Sequence, residues 1–287
     1  MTDYLRLAIS PDSDDAFMAW AIAEAQIDLR GLSFDIISAD VQALNEAAAS
    51  TTPPYDVSAI SFGALPVLAD TWSVLTTAAS FGIGVGPKLV SAAPLAVAAL
   101  EGARIAIPGA HTSARIALHL YLAAHGIGTT HDHYVPFDQI AATVTSGRTQ
   151  AGVIIHEDGL RLDAHHLHRI ADLGAWWQSH SGLPLPLGAT AIRRNLPLEL
   201  KQRACAVLQA AVQAGLDRRQ EALAWARPTA KGLTESELEQ YITDYVNALS
   251  VDFGNQGIEA IHSFLGQAET QGLIEPTTKR LEIIAPL

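Results

Sequence analysis

Between Tyr4 and Ser61 the chain alternates short apolar runs with helical ones, and no other feature constrains its fold as strongly. Tyr4 to Ser10 is apolar at Leu5, Leu7 and Ile9, the period-two signature of a strand, and Pro11 to Ser13 break it. Asp14 and Asp15 then open an apolar helix, Ala16 to Ala25, with acids where the helix dipole favours them. Leu32 to Ile37 reads as a second strand, and Val41 to Ala49 as a helix ended by Thr51-Thr52-Pro53-Pro54. Tyr55 to Ser61 is a third strand, followed by a helix with Pro66 near its start. Strands separated by helices cannot pair as hairpins, so the order predicts βαβ units and a largely parallel sheet.

A second α/β unit starts near Arg104-Ile105-Ala106-Ile107-Pro108-Gly109. It continues through a helix at Ala114 to Ala124, a strand at His133 to Phe137, a helix at Gln139 to Thr145, and strands at Gln150 to Ile155 and Arg169 to Leu173. Ala189 to Ile192 reads as a strand leaving this unit. From Leu198 onward the pattern is helical, over Leu198 to Trp225, Glu235 to Ser250 and Gly257 to Gly272. The order implies an α/β fold of two lobes. Residues 1–95 and 192–287 form a larger, discontinuous lobe with a helical C-terminal segment; residues 96–191 form a smaller lobe inserted in it. Two such lobes enclose a cleft, a preferred place for ligands.

Composition narrows the partners. The 287 residues carry 18 basic and 30 acidic side chains, a net charge of −12, with 49% hydrophobic and 17% charged residues. That hydrophobic content excludes an intrinsically disordered chain. The acidity excludes a general nucleic-acid binder, which needs a basic face, but leaves a small anion open. The single cysteine, Cys205, lies in an apolar helical stretch and reads as a buried small hydrophobe. Met1 to Leu7 lacks the apolar region of a secretory signal, and the apolar tract near Leu89 to Leu100 is too short to span a bilayer and is interrupted by Pro94. These points predict a cytoplasmic chain with no membrane partner; the apolar helical tail leaves a homodimer open.

Ligands of parallel α/β sheets collect beyond the carboxyl ends of strands, and four segments put polar groups there. Thr112-Ser113 starts a helix, where N–H groups and hydroxyls suit a carboxylate, although Thr and Ser also serve there as ordinary caps. Ser58-Ala59-Ile60-Ser61 ends the third strand. His156 follows the apolar run Val153-Ile154-Ile155; a lone histidine is more often a structural group, but its place at a strand end points it into the cleft with a pKa suited to proton transfer. Ser10-Pro11-Asp12-Ser13-Asp14-Asp15 carries three acids, more simply read as helix-opening residues than as a metal site. His131, His133, His165, His166 and His168 lack zinc spacing and read as solvated connections, so no metal is expected. Gly82, Gly84 and Gly86 leave one strand face bare for a ligand or a crowding helix. The adjacent Trp176 and Trp177 cannot both face one core, so at least one is expected to line a surface or the cleft, where a flat aromatic wall would suit a flat ring.

Taken in order, several of these segments resemble one enzyme family. The matching motifs are Ser-Pro-x-x-x-Asp at Ser10 to Asp15, Gly-x-Gly-Pro at Gly84 to Pro87, Pro-Gly-x-His-Thr-[Ser/Thr]-Ala at Pro108 to Ala114, and Ile-Ile-His-Glu at Ile154 to Glu157. More specific are Asp-Leu-Gly-x-Trp-Trp at Asp172 to Trp177 and Gly-Leu-Pro-Leu-Pro-Leu-Gly at Gly182 to Gly188; Tyr245 to Ala248 also matches. The family is 1,4-dihydroxy-6-naphthoate synthase of the futalosine route to menaquinone, and the resemblance covers almost the whole chain. It implies a periplasmic-binding-protein-like (type II) fold and a cofactor-independent lyase that makes 1,4-dihydroxy-6-naphthoate from cyclic dehypoxanthine futalosine. By the same resemblance His156 is the general base, and Ala59, Ile60, Ser61, Thr112 and Ser113 bind the substrate, an aromatic carboxylate. Ser10, Asp14 and Trp176 are taken as further substrate contacts. Two departures stand out: some members have Cys-Pro-Asn-Asp at Asp12 to Asp15, and some a lysine near Ala59. Without that lysine the carboxylate falls to helix termini, hydroxyls, or a cation such as Lys88 or Arg115. Chorismate dehydratase of the same pathway, or a non-catalytic small-anion binding protein, are the alternatives.

Overall fold

The computed structural model describes residues 3–230 and 232–287; Met1 and Thr2, part of the signal-free reading above, lie outside them. The chain opens with β1 (Asp3–Ile9), α1 (Ser13–Ala23), β2 (Leu32–Ser38), α2 (Val41–Ala49) and β3 (Val57–Ser61). A 3₁₀ turn, Phe62–Ala64, leads into the short α3 (Leu65–Leu68), then β4 (Trp72–Leu75), β5 (Ser80–Gly82) and β6 (Lys88–Ser91). Next come β7 (Arg104–Ile107), α4 (Ser113–Ala124), β8 (His131–Tyr134), α5 (Ile140–Thr145), β9 (Ala151–Ile154), a 3₁₀ turn His156–Leu160, β10 (His168–Asp172) and α6 (Leu173–Ser181). The last part holds β11 (Leu185–Arg193), α7 (Leu198–Asp217), α8 (Arg219–Ala226), α9 (Glu235–Tyr245), α10 (Ala248–Val251), α11 (Gly254–Thr270) and β12 (Ile283–Ile284).

The strands form two sheets. One runs β12-β4-β11-β3-β1-β2 with β5 also on β11, and the other β10-β6-β9-β7-β8. Both are mixed, where a largely parallel arrangement was expected. β1 is parallel to β2 and β3, but β11 is antiparallel to β3, β4 and β5, and β6 is antiparallel to β9 and β10. The reason lies in the path of the chain. β11 returns from the second sheet and enters the first from the end at which β1 and β3 leave. Sheet membership puts Lys88–Ser91 in the second sheet and all of Leu185–Arg193 in the first. The connections between sheets are thus residues 83–87 and 173–184, earlier in the chain than the division at 96 and 192.

β11 starts before Ala189 because Pro186 is accommodated at an irregularity, between Pro186 and Gly188, where a missing N–H is tolerated. Two expected helices are broken. The first stops at Arg218, whose guanidinium lies 4.9 Å from the Trp20 ring centroid. The second stops at the extended Val246, after which Asn247 caps α10 through the Leu249 N–H.

Helices cover both faces of the first sheet. Leu5, Leu7, Val57 and Ile192 pack with Phe17, Trp20, Val207 and Ile242 from α1, α7 and α9. Ile60, Trp72 and Ala191 pack on the other face with Phe264 of α11, in a cluster that continues into Ile105, Leu118 and Trp177 of the second unit. The helical tail therefore wraps the first sheet, and α11 also touches α4. Cys205 is fully buried, its Sγ is 3.4 Å from the Ile284 carbonyl, and burial pushes its thiol up to about 11.

Candidate active site

The carboxyl ends of β1, β3 and β9 and the start of α4 meet at one cleft of about 840 Å³, open mouth included. Its walls are Ser10, Asp12, Asp14 and Asp15, Ala59 to Ser61, Ser80, Thr112 to Ala114, Ile154 to His156, Leu187 to Ala189, and Tyr241 and Tyr245. Gly188 lies between two polar ends. Its register partners are Ser61 on β3 to one side and Ser80 on β5 to the other. Two strand spacings, roughly 10 Å, therefore separate those serines.

At one end, hydroxyls and a helix start interlock. The Ser113 N–H donates to Ser61 Oγ at 2.8 Å, and Ser113 Oγ donates to the Leu187 carbonyl at 2.7 Å and accepts from the Gly63 N–H at 3.1 Å. The fully buried Asn45 holds the two segments together, accepting from the Ser61 N–H at 2.9 Å and donating to the His111 carbonyl at 3.1 Å. Thr112 is the cap of α4, its Oγ1 accepting from the Arg115 N–H at 3.2 Å, so the cap and the cleft-lining roles coincide. Gly63 is required for this approach, because a Cβ there would stand 2.4 Å from the Thr112 carbonyl carbon. The Ser113 N–H is thus taken up inside the protein. What α4 presents to an anion is its dipole and the Ala114 N–H, which has no partner among the described residues.

The other end gathers acids around an imidazole. Asp12 Oδ2 lies 2.9 Å from His156 Nδ1 and also accepts from the Ser10 hydroxyl. His156 Nε2 is buried with no hydrogen-bond partner among the described residues, and Phe137 packs edge-on at 4.8 Å. His156 holds a left-handed φ of 58°, one of the strained conformations that concentrate at functional sites. Asp14 accepts from the Ser80 hydroxyl at 2.9 Å and the Tyr241 hydroxyl at 3.3 Å, and Asp15 accepts from the Ser10 N–H at 2.6 Å.

Burial, with the charges of Asp12 and Glu157, pushes Asp14 up to about 6, and burial with Asp14 pushes Asp15 well above the usual range. Burial alone would lower His156, but Asp12, Glu157 and Asp14 reverse this and raise it to about 9. A histidine expected to titrate near neutrality is therefore protonated there in the ligand-free protein.

Ser10, Asp14, Ala59, Ile60, Ser61, Thr112, Ser113 and His156 all come together at the cleft. Trp176 does not, a correction to the expectation that it contacts substrate. It stands T-shaped to Tyr121 at 5.4 Å and stacks on His180 at 5.1 Å, because α6 packs its side against α4, while Trp177 is fully buried and donates to the Pro184 carbonyl. Neither candidate cation serves the cleft either: Lys88 pairs with Asp172 and Arg115 with Asp132, and no described lining residue is a lysine or arginine. Of the glycine run, Gly82 ends β5 and the rest is a turn between the sheets. Gly86 meets the backbone of Gly174 at the start of α6 and also lines the cleft, so both expected causes of a bare backbone coincide there.

Sequence reasoning assigned no site role to Asp12, Ser80, Tyr241 or Tyr245. Asp12 carried a signal as one of three acids after a strand, and Tyr245 as the start of a matching motif; Ser80 and Tyr241 carried none.

Two α/β sheets closing on a cleft that holds an acid-paired histidine describe an enzyme built on a periplasmic-binding-protein-like fold. The chain superposes on the alkanesulfonate-binding protein SsuA from Xanthomonas axonopodis pv. citri with a TM-score of 0.72 at 16% identity, covering 98% of each chain, a likeness of fold alone. It superposes on a crystal structure of a protein from Archaeoglobus fulgidus with a TM-score of 0.87 at 31% identity, over 94% of this chain and 98% of that one. A family model described as "Menaquinone biosynthesis" matches residues 5–270, and the chain belongs to that family. It is also 34% identical over 277 residues, 96% of its length and 98% of the relative's, to a 1,4-dihydroxy-6-naphtoate synthase of Thermus thermophilus. The chain is accordingly an enzyme of menaquinone biosynthesis. Among the described residues no helix is long and apolar enough to cross a membrane.

Proposed function

We propose that this enzyme is a carbon–carbon lyase that converts cyclic dehypoxanthine futalosine to 1,4-dihydroxy-6-naphthoate, with His156 as general base. The name of the Thermus thermophilus relative supports the product. The observation that carries the residue assignment is the unpartnered, buried Nε2 of His156 on the cleft wall, with Nδ1 already held by Asp12. In its neutral form Nε2 takes the proton of a substrate hydroxyl. The adjacent carbon–carbon bond then breaks, its electron pair passes into the conjugated ring system, and aromatisation supplies the driving force. Proton transfer and aromatisation together need no cofactor.

The two ends of the cleft orient the substrate. The start of α4, with Ser61, Thr112 and Ser113, receives the ring carboxylate without a lysine or arginine, and Ala59 and Ile60 lie along the flat ring. Ser10 and Asp14 face the sugar-derived part, whose hydroxyls suit a wall of acceptors.

The test is to incubate the purified protein separately with cyclic dehypoxanthine futalosine and with chorismate. The naphthoate is expected from the first and no dehydration from the second. Dehydration of chorismate alone would reassign the enzyme as a chorismate dehydratase, and no product from either would end both enzymatic readings. A base that must first lose its proton also predicts that kcat/KM climbs with pH to a plateau above about 9. A profile falling through that range would make His156 the acid instead.

A further inference from the structure

Asp12 stands at the N-cap of α1, where a carboxylate ordinarily accepts from first-turn N–H groups, yet its side chain makes no capping bond. It is turned to His156 Nδ1 at 2.9 Å. The N–H of Ser13 donates instead to Glu157 Oε1 at 3.0 Å, and the Ser13 hydroxyl donates to the same oxygen. Residues 12–13 and 156–157 thus exchange acids: Asp12 serves the histidine beside Glu157, and Glu157 caps the helix beside Asp12. The first pair follows β1 of the seven-stranded sheet and the second follows β9 of the five-stranded one, so both contacts bridge the two sheets across the cleft.

We propose that Asp12 is the positioning residue of the reaction: from the opposite sheet it orients the imidazole of His156 and keeps the proton on Nδ1, with the Glu157–Ser13 contact holding the two sheets in the position where this pair forms. The proposal rests on the reading of His156 as the reacting base. A carboxylate on Nδ1 leaves Nε2 as the nitrogen that exchanges a proton with substrate, the role a buried acid plays toward a catalytic histidine in other enzymes. The groups that face the imidazole are Asp12, Asp14 and Asp15 from the β1–α1 side and Glu157 from its own turn, while Tyr241 and Tyr245 of α9 line the same cavity. Of these, Asp12 alone has a hydrogen bond to the ring among the described residues.

Three measurements decide it. In the unmodified protein, nitrogen NMR of His156 is expected to show Nδ1 protonated throughout and Nε2 titrating near 9; titration near 6.5, or an Nδ1 that loses its proton first, would overturn the proposal without any variant. In Asp12→Asn the rising limb of kcat/KM against pH is expected to move toward 6.5, with kcat lowered about 10²-fold and KM within about threefold. Asp12→Glu keeps the charge and is expected to hold the limb near 9 and regain part of kcat. An Asp12→Asn enzyme that keeps its limb near 9, or keeps kcat within about twofold, would also overturn it. Glu157→Gln is expected to move the limb by less than Asp12→Asn; a larger movement would reassign the control to Glu157. If His156→Ala stays active, the base reading fails, whereas the NMR titration still reports whether Asp12 governs the ring.

Discussion

The two ends of the cleft, one on each side of Gly188, solve opposite problems. The Ser61–Ser113 end is built from neutral groups linked to one another by hydrogen bonds, and it turns a helix dipole and the Ala114 N–H, unpartnered among the described residues, toward an anion. The Asp12–His156 end packs three aspartates, a glutamate and an imidazole into a buried space, where burial and neighbouring charges raise Asp14, Asp15 and His156. One end is built of neutral groups; the other titrates because of what surrounds it. The division fits the proposed function: in a protein of net charge −12 a carboxylate is better bound at the end without acids, which leaves the acid end for hydroxyls and proton transfer.

The sharpest way to break the comparison is at the imidazole. His156→Ala is expected to lower kcat by about 10²–10⁴-fold while KM changes little, because it removes proton transfer and leaves the anchoring end intact. Steady-state kinetics at saturating substrate would show it, and a large rise in KM instead would mean the ends are not separable.

Next in size is Gly63→Ala. The added Cβ would meet backbone, which cannot turn away, so the β3–α4 junction must shift. We expect KM to rise about tenfold and stability to fall by about 1–3 kcal/mol, with the pH profile of kcat/KM unmoved.

A third test sharpens the contrast through linkage. Asp14 titrates at about 6 in the folded protein, above its ordinary value of 3.8, so its contribution to stability is present below 3.8 and lost as pH rises through 6. Asp14→Asn removes that loss. Urea denaturation at pH 4 and pH 7 is expected to show the variant gaining about 1–3 kcal/mol relative to the unmodified protein between the two. Ser61→Ala, in the neutral end, should show no such pH-dependent difference.

The smallest effect belongs to Trp176→Ala. With its ring against Tyr121 and His180 rather than in the cleft, the substitution should cost about 1–2 kcal/mol of stability and leave KM within twofold. A tenfold rise in KM would return Trp176 to the substrate wall.

How much of this was legible varies by residue. β1 and β2 were, because each has a mixture of buried and exposed positions that leaves a pattern in the sequence, and β3, almost wholly buried, was legible from its place between helical runs. β4, β5 and β6 are short and wholly buried, so they carry no alternation to read. His156, Ser61 and Thr112 were legible as polar groups at strand or helix ends. Asp12 was visible only as a helix-opening acid, and that local explanation suffices until the structure shows its side chain turned away from the helix. Trp176 was misplaced because an aromatic pair states that its faces differ without stating which neighbour each face meets.

The chain's own order of residues determined the α/β alternation, the helical tail, the polar groups at the strand ends and the acidity against which the cleft works. Each of these follows from local periodicity or simple summation, to which only near neighbours or bulk totals contribute. The tertiary structure alone decided the directions of β6 and β11, the internal use of the Ser113 N–H, and the charge on His156. Hydrogen-bond partners and proton affinities depend on groups brought together from distant parts of the chain, such as Ser13 and Glu157, 144 residues apart, in a space with little water. That is why His156 could be found from its place after a strand, while its proton could be assigned only once Asp12 was seen beside it.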